Sequence, residues 1–335
     1  MITGQVRAAI VGAGLMGRWH ADAVQRVGGH VAVVADPDID RASRLAEEFG
    51  AASTVRTADA LTKQVADVAH VTTPPSEHAY SIRAAIESNL HVLAEKPLAP
   101  SAAVTAELYS MAMTRNLLLC PVHQSLFQPG IVKLLREAPS LGRIRQVAAV
   151  ICTAGANGDD ASRDQMVCDV LPHPLSLAAR VIPGGISGTR WTVTRSAPGE
   201  VQLAGARDGV SISILVSTHG RPPRNLLSVT GEVGSMHADL FHGFAFGEQR
   251  ELTRAGKIVR PFGNAAGALT AATTNLARRL ARREQAFPGL RELVRSFYQA
   301  AKSGGMPPIS TSETLDVAVE RDTIIRAMRL EGAKV

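Results

Sequence analysis

The chain has 335 residues, of which 45% are apolar and 20% charged, with 3 cysteines and a formal net charge of +6. Its length suits two domains of ordinary size, and its composition is that of a soluble globular protein with no apolar run long enough to span a bilayer. Cys120, Cys152 and Cys168 lie far apart without a Cys-x-x-Cys pair, which argues against a disulfide framework or a thiolate zinc site, and no metal is expected.

The N-terminal residues lead directly into a short apolar strand with no signal-type apolar block, so a cytoplasmic location is expected. Four of the positive charges sit together at Arg278, Arg279, Arg282 and Arg283. The remainder is nearly balanced and carries no recognisable nucleic-acid motif, so nucleic acid is not an expected partner.

In chain order, the apolar run Ala8 to Val11 meets Gly12-Ala13-Gly14-Leu15-Met16-Gly17, and a helical stretch follows from Arg18 to Val27. A strand, a G-x-G-x-x-G turn and a helix suit a pyrophosphate. Gly12 permits the tight turn, Gly14 the approach of the anion, Gly17 close helix packing, and the helix N-terminus supplies N–H donors. The second apolar run, His30 to Ala35, ends at Asp36, 19 residues beyond Gly17. A carboxylate there accepts from adenine-ribose hydroxyls and repels a 2′-phosphate, favouring NAD over NADP; the same residue also suits the start of an Asp-Pro turn with Pro37.

A helix is predicted over Ile39 to Phe49, a short strand at Ser53-Thr54-Val55 and a further helix over Ala58 to Gln64. Val68 to Val71 then runs into Thr72-Thr73-Pro74-Pro75-Ser76-Glu77-His78, a helix covers Ala79 to Ser88, and His91 to Ala94 runs into Glu95-Lys96-Pro97. Leu117 to Val122 ends at His123-Gln124. Strands alternating with helices predict a doubly wound parallel sheet whose ligands sit beyond the carboxyl ends of the strands, where these polar clusters fall.

In the second half, Arg145 to Thr153, Thr189 to Arg195, Val210 to Ser217 and Leu226 to Thr230 read as strands between Gly/Pro turns. Gly155 to Asp164, small and polar, reads as a mobile loop. Helices are predicted over Ala265 to Glu284 and Ser312 to Leu330. In the first of these, Arg278 with Arg282 and Arg279 with Arg283 are like-charge i,i+4 pairs that an anionic surface or partner would relieve; a solvated arginine face is the plainer reading.

With Gly12 to Gly17, Asp36, Thr73-Pro74-Pro75 with His78, and Glu95-Lys96-Pro97 in this order, the chain resembles the glucose-fructose oxidoreductase, inositol dehydrogenase and rhizopine catabolism (Gfo/Idh/MocA) family. The likeness extends more loosely to Asp169-Val170-Leu171-Pro172-His173. It implies an α/β protein: an N-terminal Rossmann domain over 1–122 and an α+β domain over 123–335 with a large, mostly antiparallel sheet, the last helix packing back on the first domain. A homo-oligomer, dimer or tetramer, is the implied assembly.

The resemblance makes Lys96, Asp169 and His173 the catalytic residues. It implies cofactor contacts from Gly12, Gly14, Leu15, Met16, Gly17, Asp36, Thr72, Thr73, Pro74, His78, Glu95, Lys96 and Gln124, and substrate contacts from Lys96, His123, Asp169 and His173. His20 and His70 read as ordinary packed or surface histidines. The implied activity is NAD-dependent hydride transfer to or from a secondary alcohol or ketone of a sugar, cyclitol or nucleotide-sugar-like substrate. A glycosidase using transient oxidation and a non-catalytic dinucleotide sensor stay open beside it.

Such chemistry needs a base for the hydroxyl proton and a cation or donor where alkoxide character develops, and His173, Asp169 and Lys96 supply these types. Asp169 and His173 would share a helix face, although Pro172 and Pro174 make a helix starting near His173 equally natural. Two departures fall on the substrate side. Gln124-Ser125-Leu126-Phe127-Gln128-Pro129 stands where relatives carry an Asn-Arg-Arg-Phe-type segment, and Leu171 stands where a glycine is usual.

Overall fold

The apolar runs of the first third become buried parallel strands. The computed structural model describes residues 2–153, 158–249, 254–284 and 286–332. In chain order the first elements are β1 (Arg7–Val11), α1 (Leu15–Arg26), β2 (His30–Ala35), α2 (Ile39–Phe49), β3 (Ser53–Val55), β4 (Val68–Val71), α3 (His78–Glu87), β5 (His91–Ala94), α4 (Ala102–Thr114), β6 (Leu119–Pro121), α5 (Pro129–Glu137) and β7 (Ile144–Cys152). There follow α6 (Asp160–Val170), α7 (Pro172–Val181), β8 (Arg190–Ala197), β9 (Glu200–Arg207), β10 (Val210–Ser217), β11 (Arg224–Gly231), β12 (Gly234–Asp239), β13 (Phe244–Gln249), α8 (Arg254–Ala281), α9 (Leu290–Ser303) and α10 (Thr311–Gly332). They divide into two compact units, Met1–Gln124 with Leu290–Ala318, and Ser125–Gly289 with Val319–Val335.

The first unit holds a six-stranded sheet in the order β3-β2-β1-β4-β5-β6, parallel at every pairing, the doubly wound arrangement expected. Its inner strands are buried almost throughout, so their sequences read as continuous apolar runs with no alternation. Helix α2 occupies the predicted span, with the Asp38 side chain accepting from Arg41 N at its start and Gly50 in the left-handed conformation at its end. Where a helix was expected over Ala58 to Gln64, a single 3-10 turn, Ala58–Ala60, forms instead. Leu61 turns extended there and buries itself in the core, and so short a segment has little helical stability of its own. The β5–β6 crossover contains α4, capped by Ser101 accepting from Val104 N. Helix α9 packs against α1 and β5, with Arg291 lying 3.8 Å from Asp22.

The second unit holds a seven-stranded sheet in the order β13-β12-β11-β7-β10-β9-β8, antiparallel except where β7 and β10 pair in parallel. This is the mostly antiparallel sheet that the resemblance implies. β9 and β10 are joined by Asp208-Gly209, both with positive φ, the geometry of a tight hairpin. Burial alternates along β10, so one face of the sheet carries the apolar side chains. Glu320 of α10 is buried and accepts from Gly188 N at 2.8 Å and Trp191 Nε1 at 2.6 Å.

Two expectations for this half change. The loop expected over Gly155 to Asp164 is helical from Asp160, because Asp159 caps α6 by accepting from Ser162 N; residues 154–157 lie outside the described residues. The helix expected from Ala265 begins at Arg254, and Pro261 stands within it.

In the first unit, the His91 Nδ1 atom accepts from Leu118 N at 3.0 Å, which takes a neutral imidazole. Burial, with the Lys63 charge as the second cause, lowers its pKa to about 4. The unfolded chain therefore binds this proton more readily, and the stability tied to the neutral ring is full above about pH 6.5 and is lost as pH falls towards about 4. Urea unfolding across that window should give a falling free energy for the wild type and a shallower slope for His91→Gln.

Candidate functional site

Between β1 and α1 the chain turns where Gly12 and Gly17 have no room for a side chain. Gly12 has φ +97°, and a Cβ built on it would lie 2.8 Å from the Thr72 carbonyl carbon and oxygen. A Cβ on Gly17 would lie 2.0 Å from Gly12 O, so α1 starts against the turn itself. The Thr72 hydroxyl, at the end of β4, reaches Val11 O at 3.0 Å and Gly12 O at 2.8 Å and holds the turn from behind. Gly14 is different: a Cβ there meets nothing within 4 Å. It is the N-cap of α1, no side chain caps the helix, and no acidic residue lies in its first turn. The N–H groups of Leu15, Met16 and Gly17 thus form a helix terminus suited to an anion.

Asp36 follows β2 and is 3% exposed. Its Oδ2 accepts from Ala13 N at 2.7 Å and Arg41 Nε at 3.1 Å, and its Oδ1 accepts from Asp38 N at 2.9 Å and Arg41 Nη2 at 2.7 Å. Burial pushes this carboxyl up. The Arg41 guanidinium and the two backbone N–H groups outweigh that, leaving it below the ordinary carboxylate range. Asp36 therefore ties the glycine turn to β2 and also forms the turn with Asp38, so the two sequence readings of this residue coexist. With about four acceptor positions on a carboxylate, all are in use, two of them by Arg41. That arginine, half exposed and one turn into α2, was passed over in the sequence; its position five residues after Asp36 was the available signal.

The ends of β4, β5 and β6 carry the other predicted groups of this unit. Buried His78 spans two of them, its Nδ1 at 2.6 Å from Pro97 O and its Nε2 at 2.8 Å from Thr73 O. Both ring nitrogens are thereby spent on tying the Thr73 turn to the Lys96-Pro97 turn. Lys96 precedes a cis peptide bond and is half-buried, Pro74 is exposed, and His123 is buried. Two buried oxygens here, Thr73 Oγ1 and Gln124 Oε1, have no hydrogen-bond partner among the described residues. These orphaned acceptors, the open space at Gly14 and the uncapped start of α1 fit the hydroxyls and diphosphate of a dinucleotide.

Behind Lys96 runs a buried polar chain absent from the sequence reading. Tyr298 Oη lies 2.8 Å from His70 Nε2, His70 Nδ1 lies 2.9 Å from His20 Nδ1, and His20 Nε2 lies 3.3 Å from Glu95 Oε1. A single arrangement satisfies all four groups with neutral rings. The tyrosine donates to His70, His70 donates to His20, and His20 donates to the carboxylate. Burial pushes His70 well below its ordinary value and holds Tyr298 well above its own, which keeps both groups neutral as this arrangement requires. Tyr298 lies 228 residues from His70, so no local signal marked it.

Asp169 and His173 belong to the second unit. Asp169 lies in the last turn of α6, where its Oδ1 accepts from Gln165 Nε2 at 2.9 Å, and His173 lies in the first turn of α7. The break falls at Leu171 because Pro172 and Pro174 have no N–H to give. Leu171 N still bonds Val167 O, and Leu175 N bonds Leu171 O. The bulky residue at 171 is fully buried.

The glycine turn supports a paired test. Gly14→Ala should leave the melting temperature unchanged and weaken NAD binding in calorimetric titration by about tenfold or more, since its methyl group enters only the ligand's space. Gly17→Ala should lower the melting temperature as well. Equal NAD affinity in the Gly14 variant would show that the turn does not meet a ligand.

Residues 6–123 match a family described as an oxidoreductase family with an NAD-binding Rossmann fold. Over 122 residues the chain is 34% identical to dTDP-3,4-didehydro-2,6-dideoxy-alpha-D-glucose 3-reductase of Saccharopolyspora spinosa, a match covering 36% of this chain and 37% of that protein. Over 144 residues it is 31% identical to myo-inositol dehydrogenase Hyg17 of Streptomyces leeuwenhoekii, covering 42% of this chain and 44% of that one. The matches thus span less than half the length of these curated relatives. In three dimensions, levoglucosan dehydrogenase in complex with NADH and levoglucosan superposes with a TM-score of 0.79 at 17% identity, covering 98% of each chain, a likeness of fold. Residues 6–123, which hold the Gly12 to Gly17 turn, Asp36 and Glu95-Lys96-Pro97, are thus similar to the NAD-binding Rossmann part of oxidoreductases of that family.

Proposed function

We propose that this chain is an NAD-dependent oxidoreductase interconverting a secondary alcohol and a ketone on a sugar, cyclitol or nucleotide-sugar-like substrate, working in the cytoplasm as a homo-oligomer. One observation carries the reading: the carboxyl ends of β1, β2, β4, β5 and β6 present Gly12 to Gly17, Asp36, Thr73, Lys96 and Gln124 along one edge of a single parallel sheet. The names of the two sequence relatives, a reductase of a dTDP-linked sugar and an inositol dehydrogenase, support a cyclic polyol as substrate.

In this reading the α1 terminus and Gly14 hold the diphosphate, and Asp36 holds the adenine ribose once Arg41 gives up its two bonds. When bound, the nicotinamide supplies the hydride donor or acceptor. Lys96 stabilises the oxygen as alkoxide character develops on it, His173 exchanges the hydroxyl proton near neutral pH, and Asp169 orients the imidazole or the substrate. His78 acts at one remove, holding the Lys96 turn through Pro97 O.

A nicotinamide absorbance screen over free sugars, cyclitols and nucleotide sugars tests the chemistry. With an accepted substrate, Lys96→Ala should lower kcat by about 10²–10⁴-fold while NAD titration still detects binding. Turnover at the wild-type rate would overturn the assignment of Lys96.

Cofactor choice has its own measurement. NAD should bind about tenfold or more tightly than NADP, because a 2′-phosphate meets the Asp36 carboxylate. Arg41→Ala should widen that gap by removing the cation bonded to the carboxylate. NADP binding as tightly as NAD in the wild type would overturn the preference.

A further inference from the structure

The buried line from Tyr298 to Glu95 has a direction, and the groups at its two ends set it. At one end an ionised Glu95 can only accept, and among the described residues His20 is the one side chain bonded to its carboxylate. At the other end the buried Tyr298 hydroxyl meets His70 alone among the described residues. His20 and His70, between them, are both 0% exposed. With the carboxylate ionised, every donor finds an acceptor: Tyr298 donates to His70 Nε2, His70 Nδ1 to His20 Nδ1, and His20 Nε2 to Glu95.

One added proton reverses the line. Whether it rests on Glu95 or on the His20 ring, His20 Nδ1 then carries hydrogen. His70 Nδ1, 2.9 Å away, must accept, and its own hydrogen moves to Nε2. Tyr298 Oη becomes the acceptor, and its hydroxyl hydrogen is left without a partner in a buried place. The proton-free form has no such orphan. An unsatisfied buried donor is costly, so a tyrosine hydroxyl two rings away weights the equilibrium toward ionised Glu95.

The charges on the elements around the line are paired among themselves. Burial and then Asp67, just ahead of β4, hold the Tyr298 hydroxyl up, and Asp67 is itself met by Arg7 at 2.9 Å and Lys63 at 3.5 Å. Asp22 of α1 meets Arg26 at 2.7 Å and Arg291 of α9 at 3.8 Å. Arg18 of α1 pairs with Glu48 of α2, Arg295 with Glu292 on α9, and Asp36 after β2 with Arg41. His91 stands at the opposite end of β5, and Lys96 follows Glu95 directly.

We propose that Tyr298, His70 and His20 are positioning residues of the candidate site: they hold Glu95 as an ionised acceptor at the carboxyl end of β5, next to Lys96, and the line reverses when that end takes up one proton. The Glu95 side chain keeps 11% of its surface open, which lets its second oxygen accept from a ligand hydroxyl or amide. The part played in turnover rests on the oxidoreductase reading above, whereas the reversal of the rings does not.

Nitrogen NMR of the full chain carrying isotope-labelled histidine, with the two rings assigned by single replacement, reads each tautomer without substrate. Failure of the reversal is thereby distinguishable from failure of the oxidoreductase reading. In alkaline solution His70 should carry hydrogen on Nδ1 and His20 on Nε2, and acidification from about pH 8 to about pH 5 should move the His70 hydrogen to Nε2 in one step. Glu95→Gln lacks the carboxylate that shares the proton and should remove the step from this range. Tyr298→Phe deletes one oxygen and leaves one orphan in either form, so it should raise the midpoint by about one pH unit. With an accepted substrate, the acid limb of kcat/KM should rise by the same amount; a purely structural tyrosine would change rate or melting temperature at an unchanged midpoint. Hydrogen on His70 Nε2 in alkaline solution, no step on acidification, or an unmoved ring midpoint in Tyr298→Phe would overturn the proposal. A kcat/KM limb that stays in place while the ring midpoint moves would overturn the positioning role.

Discussion

The close approach of the β1–α1 turn to the end of β4 is the constraint on which the first unit depends. Gly12 and Gly17 leave no volume for a methyl group, and the Thr72 hydroxyl fills the hydrogen-bonding capacity behind the turn. The sheet order reverses between β1 and β4, so this contact sits at the switch point where a doubly wound sheet opens to a ligand. Ala13 N then donates to Asp36, which carries the constraint to β2. A small change in turn volume thus moves the helix terminus, the carboxylate and the β4 loop together.

Burial around Lys96 is achieved with polar groups, which holds only because each has a partner. Tyr298, His70, His20 and Glu95 link α9, β4, α1 and the end of β5 in a line where every donor meets one acceptor. In a low-dielectric interior such a chain stabilises one arrangement when complete and costs heavily when broken. It also joins a helix from near the C-terminus to the N-terminal sheet through a tyrosine hydroxyl, and His78 fixes the neighbouring turn through two carbonyls. The loop bearing Lys96 is therefore supported from both sides by groups that themselves carry no reacting atom.

The second unit solves a different problem at each end of its chain. Its sheet alternates buried and exposed side chains in the manner of an antiparallel layer with one covered face, while α8 leaves Ile258, Phe262, Leu269, Leu276 and Leu280 exposed and its small residues inward. Like-charged arginines at the end of α8 are mutually unfavourable in water.

Patterns that act over a few residues were legible in the sequence alone. The parallel strands announce themselves as apolar runs because both their faces are buried. The glycine turn, the carboxylate 19 residues after it and the polar clusters at strand ends follow from backbone geometry that each segment carries in itself. Pro172 and Pro174 made a break near His173 one of two readings for the same reason, since a proline lacks its N–H wherever it stands. Tertiary structure decided the rest. Arg41 occupies half of the Asp36 carboxylate, Tyr298 completes a chain begun 228 residues earlier, and His20 and His70 become members of a network instead of separate packed rings. The outward face of α8 was likewise hidden, because a helical repeat reveals that two faces exist but only packing determines which one meets the protein. These pairings join groups distant in sequence, and a side chain's partner is set by where the folded backbone places it.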